Sequence, residues 1–243
     1  MAVTIAPYME HLKFKSPFCA IVAGPSGSGK TVLLRKILEH RHVLFNRVPQ
    51  NILWCYGQMQ DAYSQPIANT KVSYFEGFPS KDELKELKPH LIIIDDLMSE
   101  LTGDKSMSDL FTKFSHHMNI DVIFVVQNIF HHGKEMRTIS LNSHYFIILK
   151  NPRDRRQIMV LADQTFPRRR EYLMESYYDA TSSPFGYLLL DLKPDTPECM
   201  RVRTRIVPSE TIKGHFSPVI YISEKDVRKS EELFTYIESD IGD

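Results

Sequence analysis

An eight-residue motif near the start of the chain constrains its fold more than any other feature. The motif fits Gly-x-x-x-x-Gly-Lys-Ser/Thr at every fixed position and follows the apolar run 18–23. Residues 31–40 then place four aliphatic side chains at helical spacing. A strand, a glycine-rich turn and a helix in this order predict a phosphate-binding loop. The loop consists of Gly24, Pro25, Ser26, Gly27, Ser28, Gly29, Lys30 and Thr31.

The residue types of this loop suit phosphate chemistry. Glycine lacks the Cβ that would keep a phosphate away from the backbone, and successive N–H groups at a helix N-terminus attract anions. We expect Lys30 to reach the β- and γ-phosphates and the Thr31 hydroxyl to be a ligand of Mg²⁺. The loop therefore predicts ATP and Mg²⁺ as cofactors. The alternative is a glycine- and serine-rich turn that happens to end in Lys-Thr.

A second apolar run ends in two carboxylates. Residues 91–94 are consecutive aliphatics, which is typical of a central parallel strand covered on both faces. Asp95 and Asp96 follow at its carboxyl end, where open α/β sheets bind ligands. In a phosphate-loop enzyme Asp95 would hold Mg²⁺ and Asp96 would polarise the attacking water. The alternative is a strand that simply enters an acidic loop.

A third apolar run, 120–126, also ends in polar side chains. We assign Gln127 as the residue that contacts the γ-phosphate or the lytic water, with Asn128 as second choice. The alternative is that Gln127 only caps the end of a strand.

The rest of the chain alternates between strand and helix patterns. Such alternation favours right-handed crossovers and helices on both faces of a mainly parallel sheet. Further strands are predicted at 51–55, 71–75, 144–150 and 186–191, and helices after a capping box at Ser80 and at 108–117, 155–163 and 223–239. The segment 58–70 is polar and is interpreted as irregular. A domain boundary is predicted near Pro208, with an ATPase domain over 1–207 and a helical extension over 208–243, packed on the core or on a neighbour.

Composition limits the remaining possibilities. Thirty basic residues balance thirty acidic ones in 243 residues, so any contact with nucleic acid must come from local patches. Three widely spaced cysteines argue against a disulfide framework and suit a reducing compartment. The N-terminus lacks the pattern of a leader, and no apolar stretch approaches the length of a membrane span. We therefore expect a soluble intracellular protein.

Taken together, three segments resemble the FtsK/HerA branch of P-loop ATPases. They are residues 18–31, 92–98 and 124–128. More narrowly, residues 130–134 and 150–154 resemble the genome-packaging ATPases of Maverick/Polinton-type elements and related double-stranded DNA viruses, including the poxvirus type. The resemblance covers roughly residues 12–207.

This resemblance implies both a fold and a function. The implied fold is a P-loop NTPase three-layer α/β/α sandwich of the RecA-like (ASCE) type with a mainly parallel central sheet. The implied protein is a homo-oligomeric ring, hexamer or pentamer, that uses ATP hydrolysis to translocate double-stranded DNA into a preformed capsid. Its partners would be DNA and capsid vertex proteins, in the cytoplasm or nucleus of a host cell or in the virion.

The resemblance leaves two catalytic assignments open. Many relatives carry Asp-Glu where this chain has Asp95 and Asp96, so water activation could be shared with Gln127 or Glu100. A ring ATPase also needs an arginine from the neighbouring subunit. Arg153 and Arg156 are the candidates that we choose, ahead of Arg155 and Arg137, and the alternative for each is an ordinary surface or ion-paired arginine.

Two basic segments are candidates for contact with DNA. Arg201, Arg203 and Arg205 alternate with other residues, so a strand would place the three guanidinium groups on one face, where they could contact phosphates along a pore. A charged edge strand that prevents aggregation would give the same pattern. Residues 168–170 form a second cationic patch.

Two other function classes remain open at this point. A nucleotide or nucleoside kinase also begins with strand, phosphate loop and helix, and its arginine-rich lid could correspond to residues 153–156. A non-catalytic adaptor could use ATP only for assembly. The strands that end in Asp95 and Gln127 fit hydrolysis better than either alternative.

Overall fold

Nine strands of the described chain form one central sheet. The structure is a computed structural model that describes residues 9–97, 118–130, 134–212, 215–216 and 218–240. The strands of the sheet are β1 (Cys19–Ala23), β2 (Ile52–Tyr56), β3 (Val72–Glu76), β4 (Leu91–Asp95), β5 (Asp121–Val126), β6 (Tyr145–Leu149), β7 (Tyr187–Asp191), β8 (Val202–Thr204) and β11 (Val219–Tyr221). Two short strands, β9 (Thr211–Ile212) and β10 (His215–Phe216), pair with each other.

The sheet is mainly parallel. Its strands are ordered β11-β8-β7-β6-β1-β5-β4-β2-β3. The six strands from β6 to β3 are parallel to one another, whereas β7, β8 and β11 add to β6 in antiparallel pairs. Strand β5 lies between β1 and β4. The strand before the phosphate loop and the strand that ends in Asp95 are thus separated by one strand, as in the predicted RecA-like type.

Helices cover both faces of this sheet. They are α1 (Met9–Leu12), α2 (Lys30–Glu39), α3 (Arg41–Leu44), α4 (Asp61–Ser64), α5 (Lys81–Leu87), α6 (Lys134–Leu141), α7 (Arg156–Thr165), α8 (Arg170–Ala180) and α9 (Val227–Asp240). Side chains of α2, α3 and α4 pack on one face of the sheet, and side chains of α5, α6, α7 and α8 pack on the other. The predicted three-layer α/β/α sandwich is therefore confirmed. Within the described ranges, no helix has both the length and the apolar character needed to cross a membrane.

The central strands end at nearly the same level. Ala23, the last residue of β1, pairs with Val126, the last residue of β5. Asp95, the last residue of β4, pairs with Val125. The loops that follow β1, β4 and β5 therefore leave the sheet together, at what we call the carboxyl edge.

Most local predictions agree with the observed elements, but the segment 58–70, interpreted as irregular, contains the short helix α4 (Asp61–Ser64). Each strand predicted from an apolar run is present, and the helix predicted at 155–163 is α7. The capping box is formed, because Ser80 and Glu83 each accept a hydrogen bond from the backbone N–H of the other. The helix predicted at 223–239 is found as α9, which begins four residues later. The helix predicted at 108–117 lies outside the described residues.

The chain beyond residue 207 is joined to the main sheet. Strand β11 extends the sheet next to β8. Arg169, just before α8, donates a hydrogen bond to Asp226 at 2.5 Å, and Leu233 of α9 packs against Cys199 and Met200. The segment therefore packs on the same body as the residues before it.

The predicted arginine row along β8 is wrong. Arg203 is fully buried, and its Nη2 donates a hydrogen bond to Asp191 at 2.5 Å. Arg201 is bound to Glu198 and to two backbone carbonyls, and only Arg205 is exposed. The reason is that β8 spans only Val202–Thr204, so Arg201 and Arg205 lie outside the strand, and Arg205 has left-handed backbone with a φ of +53°.

The second cationic patch is also partly neutralised within the chain. Arg169 pairs with Asp226 and lies over the ring of Phe166. Arg170 pairs with Asp163 at 3.8 Å. Arg168 is exposed.

Candidate functional site

The phosphate loop connects β1 to α2 at the carboxyl edge. Gly27 and Gly29 have φ values of +75° and +96°, in the left-handed region that favours glycine. Gly24 has no room for a side chain, because a Cβ there would lie 2.7 Å from Ser28 Oγ and 2.9 Å from Leu149 Cβ. No side chain caps the N-terminus of the ten-residue helix α2. Its first turn therefore offers N–H groups that have no acceptor within the helix.

Lys30 folds back over this loop. Its Nζ donates hydrogen bonds to the carbonyl oxygens of Gly24 at 2.7 Å and Pro25 at 3.0 Å. Partial burial lowers the pKa of the Lys30 amine, and the nearby charges of Asp95 and Asp96 oppose this effect. In the described part of the chain, the amine contacts only neutral acceptors.

Asp95 ends β4 and is almost completely buried, with 4% of its surface exposed. Its Oδ2 accepts a hydrogen bond from the hydroxyl of Tyr63 at 2.9 Å. Burial raises the pKa of Asp95, while the hydrogen bond from Tyr63 and the charge of Lys30 act in the opposite direction. Tyr63 lies on α4, and Arg35 of α2 holds that segment by donating to three carbonyl groups within residues 62–66. The orientation of Asp95 is thus tied to the helix that follows the phosphate loop.

Asp96 leaves the sheet in a tight turn. Its φ is +57° and its side chain is exposed. The backbone of Asp96 passes Gly57 closely, because a Cβ on Gly57 would lie 2.7 Å from the Asp96 carbonyl oxygen. Left-handed backbone at a residue other than glycine is uncommon and concentrates at functional sites.

One cleft brings together most of the predicted site residues. It has a volume of about 370 Å³. Its lining includes Ser26, Gly27, Gly29, Lys30, Thr31, Asp95, Asp96 and Gln127. Of the two polar residues after β5, Gln127 faces this cleft, whereas the side chain of Asn128 accepts a hydrogen bond from the N–H of Phe130 at 2.9 Å.

The chemistry of this cleft fits a magnesium-bound triphosphate. The Thr31 hydroxyl and the Asp95 carboxylate are hard oxygen ligands of the kind that Mg²⁺ prefers. The Ser28 hydroxyl is buried without a hydrogen-bond partner among the described residues, so an acceptor or donor from a ligand would satisfy it. A Cβ on Gly27 would meet no atom of the described residues within 4 Å, apart from its chain neighbours, so the loop is open to a ligand at this glycine.

Arg153 and Arg156 lie outside this cleft. They are exposed, Arg153 in the turn after β6 and Arg156 at the start of α7. Neither forms an ion pair within the described ranges. Arg155, between them, lies over the ring of Tyr178 at 5.2 Å, and Arg137 is exposed on α6.

Gln157 connects the arginine-bearing turn to the loop after β5. This side chain is buried; its Oε1 accepts a hydrogen bond from the N–H of Ile129 and its Nε2 donates one to Asp154, both at 2.8 Å. Asp154 also accepts a hydrogen bond from the N–H of Arg156 at 3.0 Å. A continuous path of hydrogen bonds therefore leads from Arg156 to the loop that begins with Gln127.

Three residues of this region were not found from the sequence. Tyr63 lies in a segment interpreted as irregular, and Gln157 lies on a helix with no motif around it. Phe185, which also lines the cleft, carried the one usable signal. An aromatic residue stands between Pro184 and Gly186, at a turn position where glycine or asparagine is usual.

Comparison with known proteins finds similarity to solved structures but not to known sequences. No protein-family model and no curated protein sequence matches this chain. Among solved structures, it is similar to the genome packaging NTPase B204 from Sulfolobus turreted icosahedral virus 2 in complex with ATP-gammaS, at 12% identity and a TM-score of 0.47, over 77% of this chain and 95% of that one. The same NTPase in complex with AMP gives 13% identity, a TM-score of 0.46, and coverage of 82% and 96%.

A second protein of similar structure is the ATPase DotB of Legionella pneumophila. It is 16% identical, with a TM-score of 0.39, over 58% of this chain and 42% of that chain. Likenesses of this strength do not assign a function to the chain.

Proposed function

We propose that this protein is a magnesium-dependent ATPase that translocates double-stranded DNA as a homo-oligomeric ring and packages a viral or virus-like genome. The observation that carries the proposal is the cleft at the carboxyl edge. There the phosphate loop, Lys30, two adjacent carboxylates and Gln127 come from the ends of three neighbouring strands. A phosphate-binding loop alone would indicate only that a nucleotide binds. The exposed carboxylate of Asp96 and the amide of Gln127, which line the same cleft, supply groups for hydrolysis.

Each side chain has a role in this reaction. Lys30 balances the negative charge of the β- and γ-phosphates, and backbone N–H groups of the loop and of the first turn of α2 bind phosphate oxygens. Asp96 accepts a proton from the water that attacks the γ-phosphorus as the bond to the leaving ADP breaks. Gln127 orients that water.

Thr31 and Asp95 would hold Mg²⁺, which supplies neutralisation of charge on the phosphate oxygens when it is bound. Tyr63 orients the carboxylate of Asp95 through their hydrogen bond. The burial of Asp95 strengthens its attraction for a cation, because water screens a buried charge less than an exposed one.

The motif resemblance supports the DNA substrate, and it supports the homo-oligomeric ring together with the arginine-bearing turn. Arg153 and Arg156 are exposed and lie away from the cleft of their own chain. This is the arrangement expected of arginines that complete the site of a neighbouring subunit, where developing charge needs a cation. Capsid vertex proteins are the corresponding partners in packaging.

One experiment separates this proposal from its competitors. ATP turnover is measured with and without double-stranded DNA, and the mass of the particle is measured in the presence of ATP. We expect hydrolysis that DNA stimulates, in an oligomer with the mass of a ring. Lys30→Ala serves as the control for contaminating ATPases.

Two results would overturn the proposal in different ways. Turnover that needs a nucleoside acceptor, in a monomer or dimer, would identify a kinase. Binding of ATP with assembly but without turnover, with or without DNA, would identify an adaptor.

A further inference from the structure

A second and larger cleft adjoins the phosphate cleft. It has a volume of about 750 Å³ and lies between α2 and the strands β7 and β8. Its lining includes apolar side chains, among them Val32, Phe185 and Tyr187, and the charged side chains Lys36, Arg205 and Glu210. Gly29, Val32 and Phe185 line both clefts. A molecule whose phosphates lie on the loop would therefore extend directly into this second cleft.

Phe185 stands at the junction in an unusual conformation. Residues 183–186 form a β-turn in which the N–H of Gly186 donates to the carbonyl of Ser183 at 3.2 Å. Pro184 occupies the second position, and Phe185 occupies the third with a φ of +60°. A proline followed by a positive φ is the type II arrangement, which calls for glycine or asparagine at the third position. A bulky aromatic residue there is an outlier of the kind that accompanies function.

The position of Gly186 shows that this turn is fixed by its surroundings. A Cβ on Gly186 would lie 2.3 Å from the carbonyl oxygen of Ala180 at the end of α8. The turn is thus packed against α8, and the ring that it presents does not reach a core. Phe185 remains 67% exposed, although burying an aromatic ring of this size would stabilise the fold.

The ring of Phe185 also lies against the phosphate loop. Its Cδ1 would be 3.1 Å from a Cβ on Gly29, so Gly29 leaves just enough space for the ring. An exposed aromatic face next to a phosphate-binding helix suits a flat, heteroaromatic ligand, because every nucleobase has a π-face that stacks on phenylalanine.

We propose that the cleft beside Phe185 binds the nucleoside part of the triphosphate, with the ring of Phe185 stacked on the base. This inference rests on the proposed function, since it assumes that the phosphate loop binds the same molecule. The base of a bound DNA strand is the other ligand with such a face. The shared lining of the two clefts favours the nucleotide, because base and phosphates then belong to one molecule.

The test compares two ligands that differ only in whether a nucleoside is present. Calorimetry in Mg²⁺ measures binding of AMPPNP and of inorganic tripolyphosphate to the full chain and its variants. Phe185→Gly should weaken AMPPNP about tenfold, since stacking on a base is worth about that much or more, and should leave tripolyphosphate within about twofold of wild type. Phe185→Tyr should keep the affinity for AMPPNP.

Two control variants accompany the test. Leu141→Ala removes a side chain of similar exposure, 69%, that lines neither cleft, and it should change neither affinity. Lys30→Ala should weaken both ligands. Thermal unfolding should show Phe185→Gly folded at close to the wild-type melting temperature, because glycine suits the positive φ of this position.

The outcomes distinguish this inference from the proposed function. If the wild-type protein binds neither ligand, both the proposed function and this inference are overturned. If it binds both ligands and Phe185→Gly changes neither affinity, or changes both equally, only this inference is overturned. The same holds if Phe185→Gly weakens binding of double-stranded DNA and leaves AMPPNP unchanged.

Discussion

The two ends of the central strands, the carboxyl edge and the opposite amino edge, hold their charged residues in opposite ways. At the amino edge, where β5 and β6 begin and β7 ends, Asp121 and Asp191 are almost completely buried. Asp121 accepts hydrogen bonds from the Ser16 hydroxyl at 2.7 Å and a backbone N–H and forms an ion pair with Arg47 at 3.7 Å, and Asp191 is paired with Arg203. At the carboxyl edge, Asp95 has a hydrogen bond from a neutral tyrosine instead.

This difference separates charges that the chain neutralises by ion pairs from charges that it leaves without an ion pair among the residues that the structure describes. A buried charge is costly unless the chain supplies a partner, and the amino edge supplies one for each carboxylate. At the carboxyl edge, Lys30 contacts backbone carbonyls, and Asp96 faces an open cleft. Within the described residues these groups form no ion pair with one another, so their charge is left for a ligand.

The largest expected effect is on catalysis at the carboxyl edge. Asp96→Asn should lower ATP turnover by about two to four orders of magnitude, because the water loses its general base. Affinity for ATP should stay near that of the wild type, since an amide replaces the carboxylate without adding bulk. Phosphate release and calorimetry measure the two quantities. Turnover that survives in Asp96→Asn would show that another group is the base.

The next effect is on stability at the amino edge. Asp191→Ala should lower the free energy of unfolding by about 3–5 kcal/mol, because it leaves the buried Arg203 without its carboxylate. The matched control is Asp195→Ala, which breaks an exposed pair with Lys15 and should cost at most about 1 kcal/mol. Denaturant unfolding compares the two variants. Equal losses of unfolding free energy in the two variants would mean that the buried pair stabilises the fold no more than the exposed pair does.

A smaller effect tests the path between the arginine-bearing turn and the loop after β5. Gln157→Leu leaves the N–H of Ile129 without its acceptor, at a cost of about 1–3 kcal/mol. If that cost disorders the loop that begins with Gln127, turnover should fall about 10- to 100-fold while KM for ATP changes little. Gln164→Leu, at an exposed position of the same helix, is the control. An unchanged kcat in Gln157→Leu would show that Gln157 does not position Gln127.

The smallest effect concerns the orientation of Asp95. Tyr63→Phe removes the hydroxyl that donates to this carboxylate, and it should raise the Mg²⁺ concentration for half-maximal turnover by about tenfold. Tyr56→Phe is a suitable control because the Tyr56 ring packs on Tyr63 at a centroid distance of 5.2 Å. The Tyr63 hydroxyl would have no role in metal binding if both variants required the same Mg²⁺ concentration.

The sequence was informative where a structural feature depends on residues that are close together in the chain. The phosphate loop needs glycines with positive φ beside a helix start, and an aliphatic run ending in Asp95 and Asp96 indicates a central strand and its carboxyl edge. Both signals are contained within a few consecutive residues. The fold class and the gathering of these residues in one cleft could therefore be predicted.

The sequence was misleading where the partner lies far along the chain. Arg203 alternates like a residue on an exposed face, yet it is buried and paired with Asp191 on the neighbouring strand β7. Tyr63 reaches Asp95 across 32 positions. Such contacts depend on strand order and on the placement of a short helix, which periodicity does not encode.

The most direct test of the carboxyl edge as an ATP-hydrolysing site is magnesium-dependent phosphate release by the wild-type chain and by Lys30→Ala. The measurement is made with Mg²⁺ or with EDTA, in the presence of double-stranded DNA, and thermal unfolding verifies that the variant is folded. We predict turnover by the wild type that EDTA abolishes and that Lys30→Ala loses while its melting temperature stays close to the wild-type value. Absence of turnover in the wild type, or wild-type turnover in a folded Lys30→Ala, would contradict the assignment of the carboxyl edge as an ATP-hydrolysing site.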